Sequence, residues 1–297
     1  PALLWQSRVK NILKGAGLTE TYSYSFASEK QLEQYGFTSN DAIRLKNPLS
    51  IDQAYMRPSL VPTLLTSITE NQARFQEADL FEVAPVYLPN ASELPEQPLR
   101  LVVATYGKDA ENLFLRAKGI LERLFAETGI KTWSLNRSNV DTSRWHAGRS
   151  ARVLVENKPI GMIGQVSRSV EFSFGLDVTA VIFELDFEAL LEHFSSSKKF
   201  ASLPQYPSVK RDLAFVLADR TEYESIEHKI KKMNPSIISV EHFDTYRGKG
   251  IDPGKKSLGV RIEFRAADRT LESKDVDVWM DDIRKMLEKE FGATMRV

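Results

Sequence analysis

Cysteine is absent from the 297 residues, which excludes a disulfide framework and any thiolate-held zinc and is the expected composition of a protein of the reducing cytoplasm. Histidine is scarce. His146, His193, His228 and His242 share no metal-ligand spacing of the His-Glu-x-x-His kind, so neither a metal centre nor a histidine-based catalytic site is expected. No apolar run nears the ~20 residues of a membrane-spanning helix, so no membrane partner is expected. Net charge is missing as well, with 40 basic and 40 acidic residues, which excludes an overall basic nucleic-acid coat but leaves room for a local patch. There is no P-loop and no Gly-x-Ser-x-Gly. Gly161-Met162-Ile163-Gly164 lacks the following lysine and reads as glycines that let neighbouring strands approach closely. The chain opens on Pro1 without a methionine or a signal layout, as expected of a piece of a longer protein.

What is present is a composition of ordinary globular domains, 42% hydrophobic and 27% charged, over a length that suits two of them. The run Ser195-Ser196-Ser197-Lys198-Lys199 cannot build a core. It places a linker at 195–203 between a domain of residues 1–194 and one of 204–297. In the first, periodicity predicts helices over 6–14, 29–35, 58–74, 111–127 and 187–194. Strands are predicted over 21–26, 43–46, 80–87, 99–106, 151–155, 159–166 and 180–185, with a proline-rich loop over 89–98. Strands outnumber helices without regular alternation, which argues for an α+β fold built on an antiparallel sheet.

The last domain reads as strand 209–217, a helix opened by a capping box at Thr221-Glu222-Tyr223-Glu224, strand 237–246 and strand 257–265. A helix capped by Ser273 and a short strand at 293–297 complete it. This β-α-β-β-α-β order is the ferredoxin-like split unit, with both helices on one face of the sheet and the other face open. Residues 245–270 carry seven basic and three acidic side chains, whereas 271–290 carry four and seven. A basic open face with Tyr246 at a strand end suits RNA, since cations hold phosphates and a ring stacks on a base. An ordinary solvated hairpin accounts for the same charge pattern.

Four blocks of this domain resemble the anticodon-binding ferredoxin-fold domain of bacterial-type phenylalanine–tRNA ligase β subunits. They are Pro207-Ser208-Val209-Lys210-Arg211-Asp212-Leu213-Ala214, Phe243-Asp244-Thr245-Tyr246, Gly254-Lys255-Lys256-Ser257-Leu258 and Arg269-Thr270-Leu271. In the first domain, Asn47-Pro48-Leu49-Ser50, Met56-Arg57-Pro58-Ser59-Leu60-Val61-Pro62, Leu80–Tyr87 and His146-Ala147-Gly148-Arg149-Ser150 are similar to the same family's class II synthetase-like core. Ala147 stands where the family has proline, and Met295 where it has leucine.

The resemblance implies a class II synthetase-like antiparallel sheet followed by a ferredoxin-like βαββαβ domain. Class II cores clamp ATP with arginines, because guanidinium groups pair with phosphates and stack on adenine. Here the motif 2 strand runs on into Leu88, and Ala180–Glu188, at the motif 3 position, has neither glycine nor arginine. The core is therefore expected to be catalytically silent, with Arg57 a packing or interface residue, and the fragment to need neither cofactor nor metal. ATP and Mg2+ are implied for the whole enzyme only. The partners implied are the catalytic α subunit, in a heterotetramer of two α and two β chains, and tRNA(Phe).

The resemblance carries anticodon recognition to Ala214, Asp244, Tyr246 and Ser257, with phosphate contacts from Arg211, Lys255, Lys256, Arg265 and Arg296. A ring at Tyr246 can stack on guanine, Asp244 can accept from its N1–H and amino group, Ser257 can meet a base edge and Ala214 leaves room. Two other classes fit the topology: a free-standing RNA-recognition-motif protein, and a small-molecule regulatory domain. Against the first, Arg261-Ile262-Glu263-Phe264-Arg265 lacks an aromatic platform.

Overall fold

The computed structural model describes residues 2–90, 94–196, 200 and 202–296, and the chain divides into two compact units, 1–198 and 199–297. The expected linker, 195–203, falls partly outside the described residues.

The first unit contains, in order, α1 (Ala2–Gly15), β1 (Thr19–Glu20), β2 (Phe26–Ala27), α2 (Glu29–Tyr35), a 3-10 turn (Ile51–Gln53), β3 (Tyr55–Met56) and α3 (Val61–Asn71). There follow β4 (Ala78–Pro85), β5 (Leu99–Gly107), α4 (Ala110–Thr128), β6 (Trp133–Asn136), β7 (Trp145–Val155), β8 (Lys158–Val166), α5 (Arg168–Phe174), β9 (Thr179–Asp186) and α6 (Phe187–Leu191). Seven strands form one sheet in the order β1-β4-β5-β9-β8-β7-β6, antiparallel throughout except for the short parallel pair β1–β4.

β5 shows why the sequence reads as a continuous apolar run. Leu101 and Val103 face a core shared with α1, α4 and α6, while Val102 and Ala104 face a second core shared with α3 and α5. A strand covered on both faces has no polar side to alternate. Gly161 serves close approach, as its sequence context predicts: a Cβ there would overlap the carbonyl oxygen of Glu184 on β9.

Two expected strands do not form over the residues the sequence suggests. The alternating run 21–26 leaves the sheet once the Thr21 amide has donated to the Phe81 carbonyl of β4, because the Ser23 amide and hydroxyl donate to the side-chain carboxylate of Glu82 at 3.3 and 2.8 Å and not to a backbone carbonyl of that strand. Residues 43–46 make only an isolated bridge, Arg44 with Tyr55. β6 and α5 lie where no element is expected, and β7 begins at Trp145 with its register broken between Trp145 and Ser150.

The second unit holds β10 (Val209–Ala218), α7 (Tyr223–Met233), β11 (Ile237–Tyr246), β12 (Lys255–Phe264), α8 (Ser273–Phe291) and β13 (Thr294–Met295). The sheet order is β11-β12-β10-β13, antiparallel at every pairing. Leu213, Phe215 and Leu217 of β10 and Leu258, Val260, Ile262 and Phe264 of β12 pack with Ile226, Ile230, Val276, Met280, Ile283 and Leu287 of the helices. Among the described residues of this unit, no helix packs on the opposite sheet face. Neither expected helix cap forms: the N-cap positions are Glu222 and Glu272, one residue past Thr221 and one before Ser273, and neither side chain caps its helix.

Candidate nucleic-acid interface

Period two decides which side chains reach the open face of the second unit. β10 presents Lys210, Asp212, Ala214 and Val216 there, and their partners on β12 are Glu263, Arg261, Gly259 and Ser257. On β11, Glu241 stands opposite Arg261, Asp244 opposite Gly259 and Tyr246 opposite Ser257. Asp244, Gly259 and Ala214 thus form one row across the sheet, and Tyr246, Ser257 and Val216 the next. The chain then closes the Ala214 row, because the Arg296 amide donates to the Ala214 carbonyl at 2.9 Å.

The structure therefore gathers Ala214, Asp244, Tyr246, Ser257 and Arg296 in two adjacent rows. Their accessibility differs. Tyr246 is 39% exposed and Ser257 only 4%. The Tyr246 hydroxyl donates to the Lys249 carbonyl at 3.3 Å, its ring rests against Gly248, and the guanidinium of Arg296 lies 5.6 Å from the ring centroid. Among the described residues nothing pairs with the exposed carboxylate of Asp244.

The five cations expected at phosphates do not act together. Arg211 and Lys256 lie on the helix-bearing side, because each shares strand parity with the core residues around it. Arg211 reaches Asp277 of α8 at 3.4 Å. Lys256 donates to the Thr221 carbonyl at 2.7 Å, and burial pulls its pKa below the usual lysine range. Lys255 is on the open face but pairs with Asp252 at 2.9 Å, and Arg265 stands 3.7 Å from Glu263.

The basic excess of 245–270 is largely neutralised in the same way. Arg247 pairs with Asp219, Arg269 with Asp275, and Arg261 grips Asp212 through two bonds of 2.7 and 2.8 Å. That grip holds the Asp212 carboxyl below its usual range. Charge counted along the sequence overstates the field at the face, since the fold brings acids from other elements to Arg247, Arg261 and Arg269.

Sequence reasoning missed Phe243 and Gly259. Phe243 is an extra residue in β11, set in a register shift between His242 and Asp244, and its ring lies over Gly259. A glycine inside the otherwise alternating run 258–264 was the available signal.

The first unit has a cleft of about 560 Å³ on the α3 side of its sheet, lined by Tyr35, Ser59, Arg100, Arg144, Arg152, Glu184 and Asp186 among others. Its charges are mostly committed. Arg100 pairs with Asp186, and Arg144 donates to the Gly36 carbonyl and covers the Phe37 ring. Glu184 accepts from the Ser59 hydroxyl and the Leu60 amide at 2.9 and 2.7 Å, while burial pushes its pKa up. Arg57 is sealed beneath, 2% exposed and 3.0 Å from an equally buried Glu82. Among the described residues no three His, Asp or Glu side chains gather as a metal ion requires. Arg152 lines the same cleft, and its side chain has no partner among the described residues. No helix among the described residues is long and apolar enough to cross a membrane.

A synthetase-like sheet followed by a ferredoxin-like unit with an open polar face defines a class: multidomain chains built on the aminoacyl-tRNA synthetase fold. Residues 1–187 match the family model of the phenylalanyl tRNA synthetase beta chain CLM domain, and residues 204–296 that of the ferredoxin-fold anticodon binding domain. The chain belongs to the phenylalanyl-tRNA synthetase beta chain family. It is 33% identical over 98% of its length to the phenylalanine–tRNA ligase beta subunit of Clostridium tetani, and 31% identical over 100% to that of Carboxydothermus hydrogenoformans. It spans only 37% and 39% of those two relatives. Among solved structures, the pyrrolysyl-tRNA synthetase of Desulfitobacterium hafniense shares the fold, with a TM-score of 0.53 at 15% identity over 64% of this chain and 68% of that one.

Proposed function

We propose that this chain is the non-catalytic, tRNA-reading part of a phenylalanine–tRNA ligase β subunit. Residues 1–194 serve as a silent core that scaffolds the catalytic α subunit in a two-α, two-β assembly of the cytoplasm. Residues 195–203 link it to an anticodon-binding domain, 204–297. The α subunit, with its ATP and Mg2+, performs the aminoacylation of tRNA(Phe).

The observation that carries the reading is the unpaired Asp244 carboxylate beside the exposed ring of Tyr246 on an open sheet face. A ring stacks on any unstacked base, whereas a carboxylate selects a base whose edge offers two donors. Guanine does so through N1–H and its amino group. Ala214 keeps the floor beside these two side chains low enough for a base to lie flat. Arg296 is the phosphate contact this geometry supports best, with Lys255 and Arg265 able to exchange weak surface ion pairs for phosphate. Arg211 and Lys256 act on the fold instead.

The test is a filter-binding titration of the whole chain with an anticodon stem-loop bearing GAA and one whose first anticodon base is changed to A. Tighter binding of the GAA loop is expected; equal affinities would overturn the anticodon assignment. Co-purification with a catalytic α subunit tests the scaffold role separately.

A further inference from the structure

Phe243 is the one residue of β11 near this site that the ladder does not use. His242 is paired with Val260, and Asp244 with the very next residue of β12, Gly259, so Phe243 is the additional residue of a β-bulge. It does not join the core of its unit: its side chain is absent from the cluster beneath the sheet and the residue is 51% exposed. An apolar ring left half in water at the cost of a ladder irregularity calls for a reason.

The ring is held in place from two sides. Below it lies Gly259, where a Cβ would come within 2.7 and 2.8 Å of the ring atoms Cε2 and Cζ. Only glycine therefore lets the ring lie down on the sheet. Beside it stands Arg261, with its guanidinium carbon 5.6 Å from the ring centroid. Arg261 is itself fixed by its two bonds to Asp212. Asp244 follows Phe243 directly, and Tyr246 rises from the same face one row further on. Two exposed rings thus flank one unpaired carboxylate.

We propose that Phe243 is a second stacking platform on this face, taking the single-stranded nucleobase next to the one that Tyr246 and Asp244 read. This rests on the anticodon reading given above. A hydrocarbon ring has no hydrogen-bonding edge, so Phe243 contributes affinity and accepts any base, while discrimination stays with Asp244. Arg261 acts here as a positioning residue, its charge already matched by Asp212.

The test uses the whole chain and three synthetic anticodon stem-loops: one intact, and two with an abasic nucleotide immediately before or after the first anticodon base. Phe243→Leu keeps an apolar residue in the bulge, and deletion of Phe243 restores a regular ladder, so the two variants control for each other's folding. Both are expected to weaken binding of the intact loop by roughly 5- to 150-fold, as for other base–aromatic stacks. They are expected to have no further effect on one of the two abasic loops. An unchanged affinity of Phe243→Leu and of the deletion for the intact loop, in a protein where Tyr246→Ala is weakened, overturns the second platform and leaves the anticodon reading standing. An equal loss on the intact and both abasic loops also overturns it, since the ring would then act through the fold. Indifference of the loop to Tyr246→Ala as well overturns both readings.

Discussion

Arg296 holds Tyr246 and Ala214 at once: its guanidinium carbon lies 5.6 Å from the Tyr246 ring centroid while its amide donates 2.9 Å to the Ala214 carbonyl. The last described residue of the chain is therefore built into the face that carries the proposed recognition residues. The pairing also splits the work of the face into a cation whose effect is general and a ring and carboxylate whose effects are local.

Arg296→Ala is expected to weaken binding of all stem-loops alike and to lower the slope of log K against log salt by about 1, as loss of one phosphate contact does. An unchanged salt slope would remove Arg296 from the phosphate set.

Tyr246→Ala is expected to cost about 1–3 kcal/mol in RNA affinity, the worth of one base–aromatic stack. Asp244→Asn is expected to act differently, lowering the preference for guanine over adenine at the first anticodon position by about 1–3 kcal/mol. Competition titrations with the two loops separate the effects, and a uniform loss for both bases would sink the carboxylate's assigned role.

The Arg57–Glu82 pair predicts a stability effect in the first unit. Both side chains are 2% exposed, Arg57 also donates to the Pro85 carbonyl at 3.2 Å, and Ser23 donates to Glu82. Arg57→Met leaves a buried carboxylate unmatched and is expected to cost about 3–5 kcal/mol in urea unfolding, much of it recovered by adding Glu82→Leu. A single variant as stable as the parent would show that water reaches Glu82.

Glu20 gives a pH dependence. Its bonds to Lys10 and Lys14, at 2.6 and 2.7 Å, hold its carboxyl below the usual value of 4.5. A lowered folded pKa means stability that is present above 4.5 and lost as pH falls through the folded value. Glu20→Gln should therefore reduce stability by up to ~1 kcal/mol at neutral pH, the modest worth of a partly exposed pair. It should change nothing well below 4.5. A loss of the same size in acid would point to packing and not to charge.

Without an α subunit the chain is expected to show no ATP–pyrophosphate exchange, because two of the three arginines in the cleft, Arg100 and Arg144, are already engaged and Arg152 alone cannot clamp a nucleotide from both sides. Robust exchange by the isolated chain would refute the silent core.

Where the sequence was readable, one periodicity ruled locally. Ser257–Arg265 alternates, and its apolar set is the one that packs on the helices. Leu113, Ala117, Ile120, Leu121 and Leu124 face inward from α4 as their spacing requires. What was not readable depended on distant partners. The strand expected at 21–26 was lost to the carboxylate of Glu82, some sixty residues away. The parity of Lys256 was written in the alternation, yet the resemblance assigned this residue to phosphate. The basic hairpin looked free because Asp212, Asp219 and Asp275 come from other elements.

The bulge in β11 has a consequence for how such a face can evolve. If Phe243 is skipped, His242, Asp244, Thr245 and Tyr246 pair with Val260, Gly259, Leu258 and Ser257 without a break. A lineage could therefore gain or shed that one codon while the neighbouring carboxylate and phenol kept their stations. On the proposed roles, the grip of the face on RNA and its choice of base are separately heritable.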